Sequence, residues 1–417
     1  MVVIEADPQR AEEVQNDVDC LVISGNGAST TVLEQAGIDS AGLLIAVTSS
    51  DAVNVLACQA AARYHVPRRV ARVEDPTLRE QLGELGVDVV IDPGEMLAHE
   101  LVRLVGRGRV SEMIEFAEGR LLLIGGYVSA DAPMAGMTLA ELRGNVTGWD
   151  WLVAAVIRDG ETSIARGDTM VQAGDHVLVM ATGEHVEEAL VLMGAEAHAP
   201  KKVIILGATR LATLAAEQFA RKHLQVILID QDADRCRHLA SELDRIVVVQ
   251  GDPTDPKVLR SEGVDTADAV LALTGWDEVN IVGCLIAKAL GAEMTVARFA
   301  RFEYVGLLPG IGIDAGVSSR LAAANAILRF VRRGHVHSVV TFQDSPAEAI
   351  EVELDPGSRV IGKTLREIGL PKSVIVGGII RNGKAFVPHG TTEISVRDRL
   401  IVIAMPEAIR SVESIFG

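Results

Sequence analysis

The residues with chemical promise are spaced for binding and not for bond-making. Asp230 closes the apolar run 226–229, and the segment Gly207-Ala-Thr-Arg-Leu-Ala212 follows the apolar run 201–206. An acid at the end of a second strand can accept hydrogen bonds from ribose hydroxyls. A glycine turn leading into a helix can bring backbone N–H groups and the positive end of a helix dipole to a pyrophosphate. Gly207 supplies the first glycine of such a turn. Thr209 stands in the place of the second, with a branched side chain where phosphate would meet bare backbone, and Ala212 is an accepted replacement for the third. Taken alone, this motif serves a tight strand–helix turn as well as it serves a nucleotide. No His–Asp or Lys–Asp pair recurs at a cleft-like position, so catalysis has no candidate residues.

The elements that must position these residues follow from the apolar pattern. Strands are expected over 201–206, 226–229, 246–249, 270–273 and 295–298, with helices over 211–222, 234–243 and 277–290. Short runs rich in Val, Ile and Leu alternating with helices predict a doubly wound parallel sheet. Such a sheet binds ligands at the carboxyl ends of its strands.

The chain is written twice. Cys20-Leu-Val-Ile-Ser-Gly-Asn aligns with Ile246-Val-Val-Val-Gln-Gly-Asp, so that Gly25 falls on Gly251 and Asn26 on Asp252. At the same offset Thr48 falls on Thr274, Asp51 on Asp277, Asn54 on Asn280, Cys58 on Cys284 and Arg72 on Arg298. A second pair of segments repeats as well. Gly136-Met-Thr-Leu-Ala-Glu-Leu matches Gly362-Lys-Thr-Leu-Arg-Glu-Ile, and Arg158-Asp-Gly matches Arg381-Asn-Gly. The order is A, B, A′, B′. Interruptions by Gly, Pro or basic residues put boundaries near 106–109, 197–200 and 332–334. The expected domains are therefore 1–107, 110–196, 200–333 and 335–417. Unit B reads as a small α+β module, mostly antiparallel, in which Asp159-Gly160 and Asn382-Gly383 mark tight hairpins. It holds no catalytic cluster and could bind a small ligand or pair with another subunit. The first A unit reaches Glu5, its counterpart of Asp230, almost at once. It lacks a first strand, glycine loop and first helix. Either a segment preceding Met1 supplies them or this lobe has lost its phosphate site; the first is expected, because a doubly wound sheet without its central strand exposes two unpaired edges.

Composition narrows the function classes. Of 417 residues, 48% are hydrophobic, enough for a core in every unit, and the net charge of −18 opposes general binding to nucleic acid or anionic lipid. The four cysteines, Cys20, Cys58, Cys236 and Cys284, form no CxxC pair and read as buried small hydrophobes. No run approaches the ~20 apolar residues of a membrane helix, and the start of the chain has no signal-like core. A cytoplasmic protein is expected, with any membrane role exerted through a partner.

The A-B-A′-B′ order, together with Val3-Ile-Glu-Ala-Asp-Pro8, Gly25-Asn26, Gly251-Asp252, Ala46-Val-Thr-Ser-Ser-Asp-Ala-Val-Asn54, Ala272-Leu-Thr-Gly-Trp-Asp-Glu-Val-Asn280, Ala71-Arg72 and Ala297-Arg298, resembles the TrkA family. In that family, nucleotide-binding and smaller C-terminal modules, the RCK or KTN domains, alternate. The resemblance covers the chain from Glu5 onward. It implies two Rossmann-like domains alternating with two small RCK_C domains. It also implies NAD(H) or ATP/ADP as regulatory ligand, ring assembly, usually from four double subunits, and a Trk-type potassium channel membrane subunit as partner. The protein would then lie at the inner face of the plasma membrane without entering it. By position, Glu5 and Asp230 would hold ribose hydroxyls. Asn26 and Asp252 would sit near the adenine, and Thr48 and Thr274 by the phosphates or the nicotinamide end. Arg210, Arg72 and Arg298 would contact phosphate, beside Gly207 and Gly251.

Each of these residues also has a plainer reading. Asn26 and Asp252 favour turns, Thr48 and Thr274 suit strand ends or N-caps, and Arg72 and Arg298 suit salt bridges. Asp51 and Asp277 read as caps or first-turn acids. Trp149, Trp151 and Trp276 read as packing or interface residues, and His335 and His337 as connector residues. Two competing functions remain: a nicotinamide-dependent oxidoreductase on the same fold, and a scaffold subunit whose nucleotide motifs have decayed.

Overall fold

The computed structural model describes every residue except 106–109, 146–149, 196–199, 302–303, 305–307, 332–335, 343–344 and 417. The boundaries expected near 106–109 and 332–334, nearly all of 197–200, and both Trp149 and His335 therefore lie outside the described residues, and the side chain of His337 is not described. The chain forms two compact units, Met1–Gly94 and Glu95–Gly417.

In the first unit, β1 (Val2–Glu5), α1 (Pro8–Asp17), β2 (Leu21–Ser24), α2 (Thr30–Gln35), β3 (Leu44–Ala46), α3 (Asp51–Arg63), β4 (Arg69–Arg72) and β5 (Val89–Ile91) follow one another. The strands are all parallel but fall into two ladders, β1–β2 and β3–β4–β5. Asp7 caps α1 by accepting from the N–H groups of Gln9 and Arg10, and Ser50 caps α3. Ala57, Cys58 and Ala61 turn the buried face of α3 inward.

The second unit opens within α4 (Pro93–Leu104), whose Leu97, Ala98, Leu101 and Leu104 recur at helical spacing and are all buried. An antiparallel module follows: β6 (Val110–Phe116), β7 (Leu121–Tyr127), α5 (Leu139–Asn145), β8 (Trp151–Arg158), β9 (Glu161–Ile164), β10 (His176–Thr182) and α6 (Val186–Leu192). Its strand order is β6-β7-β10-β8-β9. The second parallel lobe comprises β11 (Lys202–Leu206), α7 (Arg210–Arg221), β12 (Gln225–Asp230), α8 (Ala233–Glu242), β13 (Ile246–Gln250), α9 (Pro256–Ser261), β14 (Ala269–Ala272), α10 (Asp277–Ala289), β15 (Met294–Arg298), α11 (Leu308–Ile311) and β16 (Ala315–Val317). Here one six-stranded sheet runs β13-β12-β11-β14-β15-β16, with β11 at the centre joining the counterparts of the first unit's two ladders. The expected strands and helices are present, and β16 is an addition too short to show in the apolar pattern. The last module consists of α12 (Ser319–Val331), β17 (Val336–Thr341), β18 (Glu348–Glu353), α13 (Leu365–Ile368), β19 (Val374–Arg381), β20 (Lys384–Phe386), β21 (Arg399–Ala404) and α14 (Ile409–Phe416). Its sheet order, β17-β18-β21-β19-β20, repeats that of the earlier module.

The repeated motifs of the two antiparallel modules now have physical reasons. Asp159-Gly160 and Asn382-Gly383 both hold φ positive at two successive residues, the type I′ geometry that matches strand twist. Thr138 with Glu141, and Thr364 with Glu367, form reciprocal capping boxes: each Thr N–H donates to the glutamate and each Glu N–H donates back to the threonine Oγ1. Arg158 grips Asp175 with two hydrogen bonds of 2.7 Å, and Arg381 grips Asp398 at 2.8 and 2.7 Å. Each pair ties the first strand of the hairpin to the start of the neighbouring strand. The two modules share one core, in which Leu121, Leu123 and Met180 pack with Ile380, Ile401 and Ile403. A Cβ on Gly378 would stand 2.6 Å from Leu121 Cδ1, so glycine there permits the close approach.

Candidate functional site

In the second lobe the connections leave the central strand in opposite senses, β11 to β12 on one side and β14 on the other. The crevice outside the carboxyl ends of β11 and β14 is the topological switch point of the sheet. Gly207 lines it with φ +99°, and a Cβ at that position would meet the Thr274 Cα and Cγ2 at 2.9 Å. Only glycine lets the turn after β11 lie this close to the end of β14.

Asp230 faces the same turn and is almost fully buried. Its Oδ2 accepts from the Ala208 N–H at 2.7 Å and its Oδ1 from the Asp232 N–H at 2.9 Å, while Arg235 lies 3.5 Å from Oδ2. The acid thus also has a structural duty, pinning the end of β12 to the glycine turn. Thr209 is likewise explained. Its hydroxyl donates to the Leu273 carbonyl at 2.7 Å and accepts from the Ala212 N–H at 3.3 Å, capping α7 and tethering it to β14. Arg210 is the first residue of α7.

A frame present in both lobes holds the threonines and arginines. The Asn280 side chain accepts from Thr274 N–H at 2.9 Å and from Thr274 Oγ1 at 2.7 Å, and donates to the carbonyls of Thr274 and Arg298. Asn54 does the same for Thr48 and Arg72. Both asparagines are fully buried. They were visible in the repeat as matched positions but not as site residues, because nothing in a single asparagine says that its amide spans two strand ends. Asp277 accepts from the N–H groups of Ala300 and Arg301, and Asp51 from those of Glu74 and Asp75. These acids bridge the start of a helix to the end of the next strand, which is more than capping.

Gly251 and Asp252 follow β13 at the same edge, beyond β12. The Asp252 carboxylate accepts from the backbone and hydroxyl of Thr254, which lowers its pKa, and Asn26 accepts from the Ala28 N–H in the equivalent turn. A Cβ on Gly251 would meet Val258 at 2.8 Å. The second lobe therefore gathers Gly207, Asp230, Thr274 and Arg298 at one edge, with Arg210 at the helix start and Asp252 further along. In the first unit Glu5 accepts from the Asp7 N–H on the β1–β2 ladder, and Asn54 joins Thr48 to Arg72 on the other ladder. No strand pairing joins these two groups among the described residues. Trp276, at the N-cap of α10, is 71% exposed, whereas Trp151 is buried. Cys58, Cys236 and Cys284 are buried; Cys20 is only half-buried.

Between the two antiparallel modules lies a cleft of about 390 Å³ lined by equivalent residues of each, such as Leu139 with Leu365 and Val153 with Val376. Arg166 crosses from one module to the other, donating to the carbonyls of Pro371 and Val374 at 2.9 Å. No described helix is long and apolar enough to cross a membrane.

The comparison with known proteins matches this architecture module by module. Residues 1–93 and 203–319 match the TrkA-N domain, and residues 127–194 and 349–417 the TrkA-C domain. The chain belongs to the TrkA family. It is 33% identical over its whole length to a Trk system potassium uptake protein TrkA homolog of Archaeoglobus fulgidus, covering 94% of that protein. It is 30% identical to the Trk system potassium uptake protein TrkA of Azorhizobium caulinodans, with 99% of this chain and 93% of the relative aligned. Among solved structures it resembles the GsuK RCK domain, with a TM-score of 0.59 at 22% identity over 100% of this chain and 89% of that one. It also resembles the GsuK channel bound to NAD, with a TM-score of 0.59 at 22% identity over 100% of this chain and 74% of that one. These likenesses establish the fold: Rossmann-like lobes alternating with RCK-type C-terminal modules.

Proposed function

We propose that this chain is a nucleotide-responsive regulatory subunit of a Trk-type potassium uptake system and that it is not an enzyme. NAD(H) or ATP/ADP is the regulatory ligand. The observation that carries the reading is the second lobe's switch-point crevice, where the Asp230 carboxylate and the positive-φ Gly207 turn stand together at the start of α7. In this reading ribose hydroxyls take over the Asp230 oxygens from Ala208 and Asp232, and the pyrophosphate lies along the turn between Arg210 and Arg298. The names of the family relatives supply the transport system, and the NAD of the GsuK structure is in keeping with the ligand class.

The mechanism is a shift of population. A ligand moves a conformational equilibrium only by its differential affinity for the two states. Each nucleotide favours one arrangement of a ring of subunits, four double subunits in the simplest case, and the ring acts on a potassium-translocating membrane subunit from its cytoplasmic side. Calorimetry with NADH and ATP on the wild-type chain and on Asp230→Ala tests the first step. Binding that Asp230→Ala abolishes or weakens by about tenfold or more supports the reading. Absence of binding of either nucleotide to the wild type would sink it and favour a scaffold subunit.

A further inference from the structure

The two lobes hold equivalent arginines in unlike electrostatic settings. In the first, Arg72 directs Nε to the Glu74 carboxylate at 3.0 Å, and a second guanidinium nitrogen pairs with the same oxygen. In the second, the position of Glu74 is taken by Ala300. The backbone frame is the same, since the N–H of Glu74 donates to Asp51 as that of Ala300 donates to Asp277. Without that carboxylate, Arg298 reaches across the sheet edge and donates to the Thr274 carbonyl at 3.0 Å. Its Nε is buried with no hydrogen-bond partner among the described residues. Thr274 is also the residue against which Gly207 packs, so the glycine turn and the Arg298 guanidinium share this neighbour at the end of β14.

The geometry points to Arg298 as the residue that reads phosphate charge in the second lobe, with Glu74 as a built-in counter-ion that removes this role from Arg72 in the first. The inference rests on the nucleotide reading above and deepens it. A buried guanidinium donor without a partner is costly, and an anionic oxygen is the partner that best satisfies it. A carboxylate beside the arginine supplies that partner internally and repels a second anion. The second lobe is thereby set to favour the more highly charged nucleotide, ATP over NADH, and the first lobe is not.

The test transplants the counter-ion. Ala300→Glu gives the second lobe the side chain that the first already carries on the same frame, and Arg298→Gln removes the charge. Calorimetric titrations with ATP and with NADH at low and high salt, using Asp230→Ala to identify the second-lobe component, read the effect. Both variants are expected to weaken ATP binding by about tenfold, to weaken NADH binding less, and to flatten the salt dependence of ATP binding. Circular dichroism and thermal unfolding establish that each variant is folded; should Ala300→Glu not fold, Arg298→Gln alone decides on the arginine. If Arg298→Gln keeps the wild-type ratio of ATP to NADH affinity, the role of Arg298 is refuted while the nucleotide reading survives. If only Ala300→Glu keeps that ratio, the counter-ion role of Glu74 is refuted. If the wild type binds neither nucleotide, the nucleotide reading falls and this inference with it.

Discussion

Gly207 and Thr274 meet across the switch point of the second lobe so closely that a single added carbon on the glycine would stand 2.9 Å from the threonine Cα. The contact sets how closely the turn after β11, to which Asp230 is bonded through the Ala208 N–H, lies to the end of β14. Gly207→Ala faces both a left-handed backbone and a backbone collision. It is expected to destabilise the chain by about 2–3 kcal/mol and to weaken nucleotide binding. Gly136→Ala, at φ +80° with open space around it, should cost only about 1 kcal/mol. Denaturant unfolding of the two variants measures the difference, and equal losses would mean that the close approach contributes nothing.

Asn280 holds the ends of β14 and β15 together through both oxygen and nitrogen of its amide, with no exposure to solvent. Asn280→Ala leaves a buried N–H and two carbonyls without that partner, a loss of about 2–4 kcal/mol. Hydrogen exchange at the Thr274 amide should accelerate in step with the global loss. Wild-type protection of that amide in the variant would show that water or a neighbour replaces the asparagine.

The carboxylate of Asp398 has no solvent exposure and accepts from Arg381 and from the Ser395 N–H. Asp398→Ala strands the partly buried guanidinium and should cost about 3–5 kcal/mol, whereas the double substitution Arg381→Met with Asp398→Leu should recover a large part of it. A double variant as unstable as the single one would show that the pair's worth lies in its links to the Glu393 carbonyl and to Ser395.

His176 is buried at the start of β10 beside Tyr127, with Nε2 2.7 Å from Ser111 Oγ. Burial disfavours its charged form and pushes its pKa down from 6.5 to about 4. The unfolded chain therefore binds the proton more readily between those values, and the contribution of this residue to stability is lost as pH falls from about 6.5 to 4, up to roughly 3 kcal/mol. His176→Gln should reduce the dependence of unfolding free energy on pH across that window. Parallel pH profiles of variant and wild type would refute the assignment.

Much of this architecture was legible along the chain, for identifiable reasons. A buried parallel strand must be apolar at nearly every position, so Val203–Leu206 and Val226–Ile229 stand out as runs. A type I′ turn needs positive φ at two successive residues, so Asp159-Gly160 and Asn382-Gly383 announce hairpins. The duplication was legible because both copies answer the same local demands at the same spacing: capping boxes, Arg–Asp clamps and a buried asparagine. The candidate binding residues were legible only as types. Asp230 stood out as an acid after an apolar run, but its bond to Ala208 did not, and Thr209 read as an obstruction before its hydroxyl was seen to cap α7.

What the sequence determined by itself was the kind and order of the modules, since periodicity, turn chemistry and capping act over a few residues and are written locally. What only the tertiary structure decided was which distant residues share an environment. Residues 207 and 274, or 121 and 378, are brought within contact by strand order and sheet packing, which no local pattern encodes. The two arginines make the same point. Arg72 and Arg298 are equivalent in the repeat, and only their folded surroundings, a carboxylate at one and the Thr274 carbonyl at the other, set them apart. Electrostatic character belongs to the distances between charges, and those distances exist only once the chain has folded.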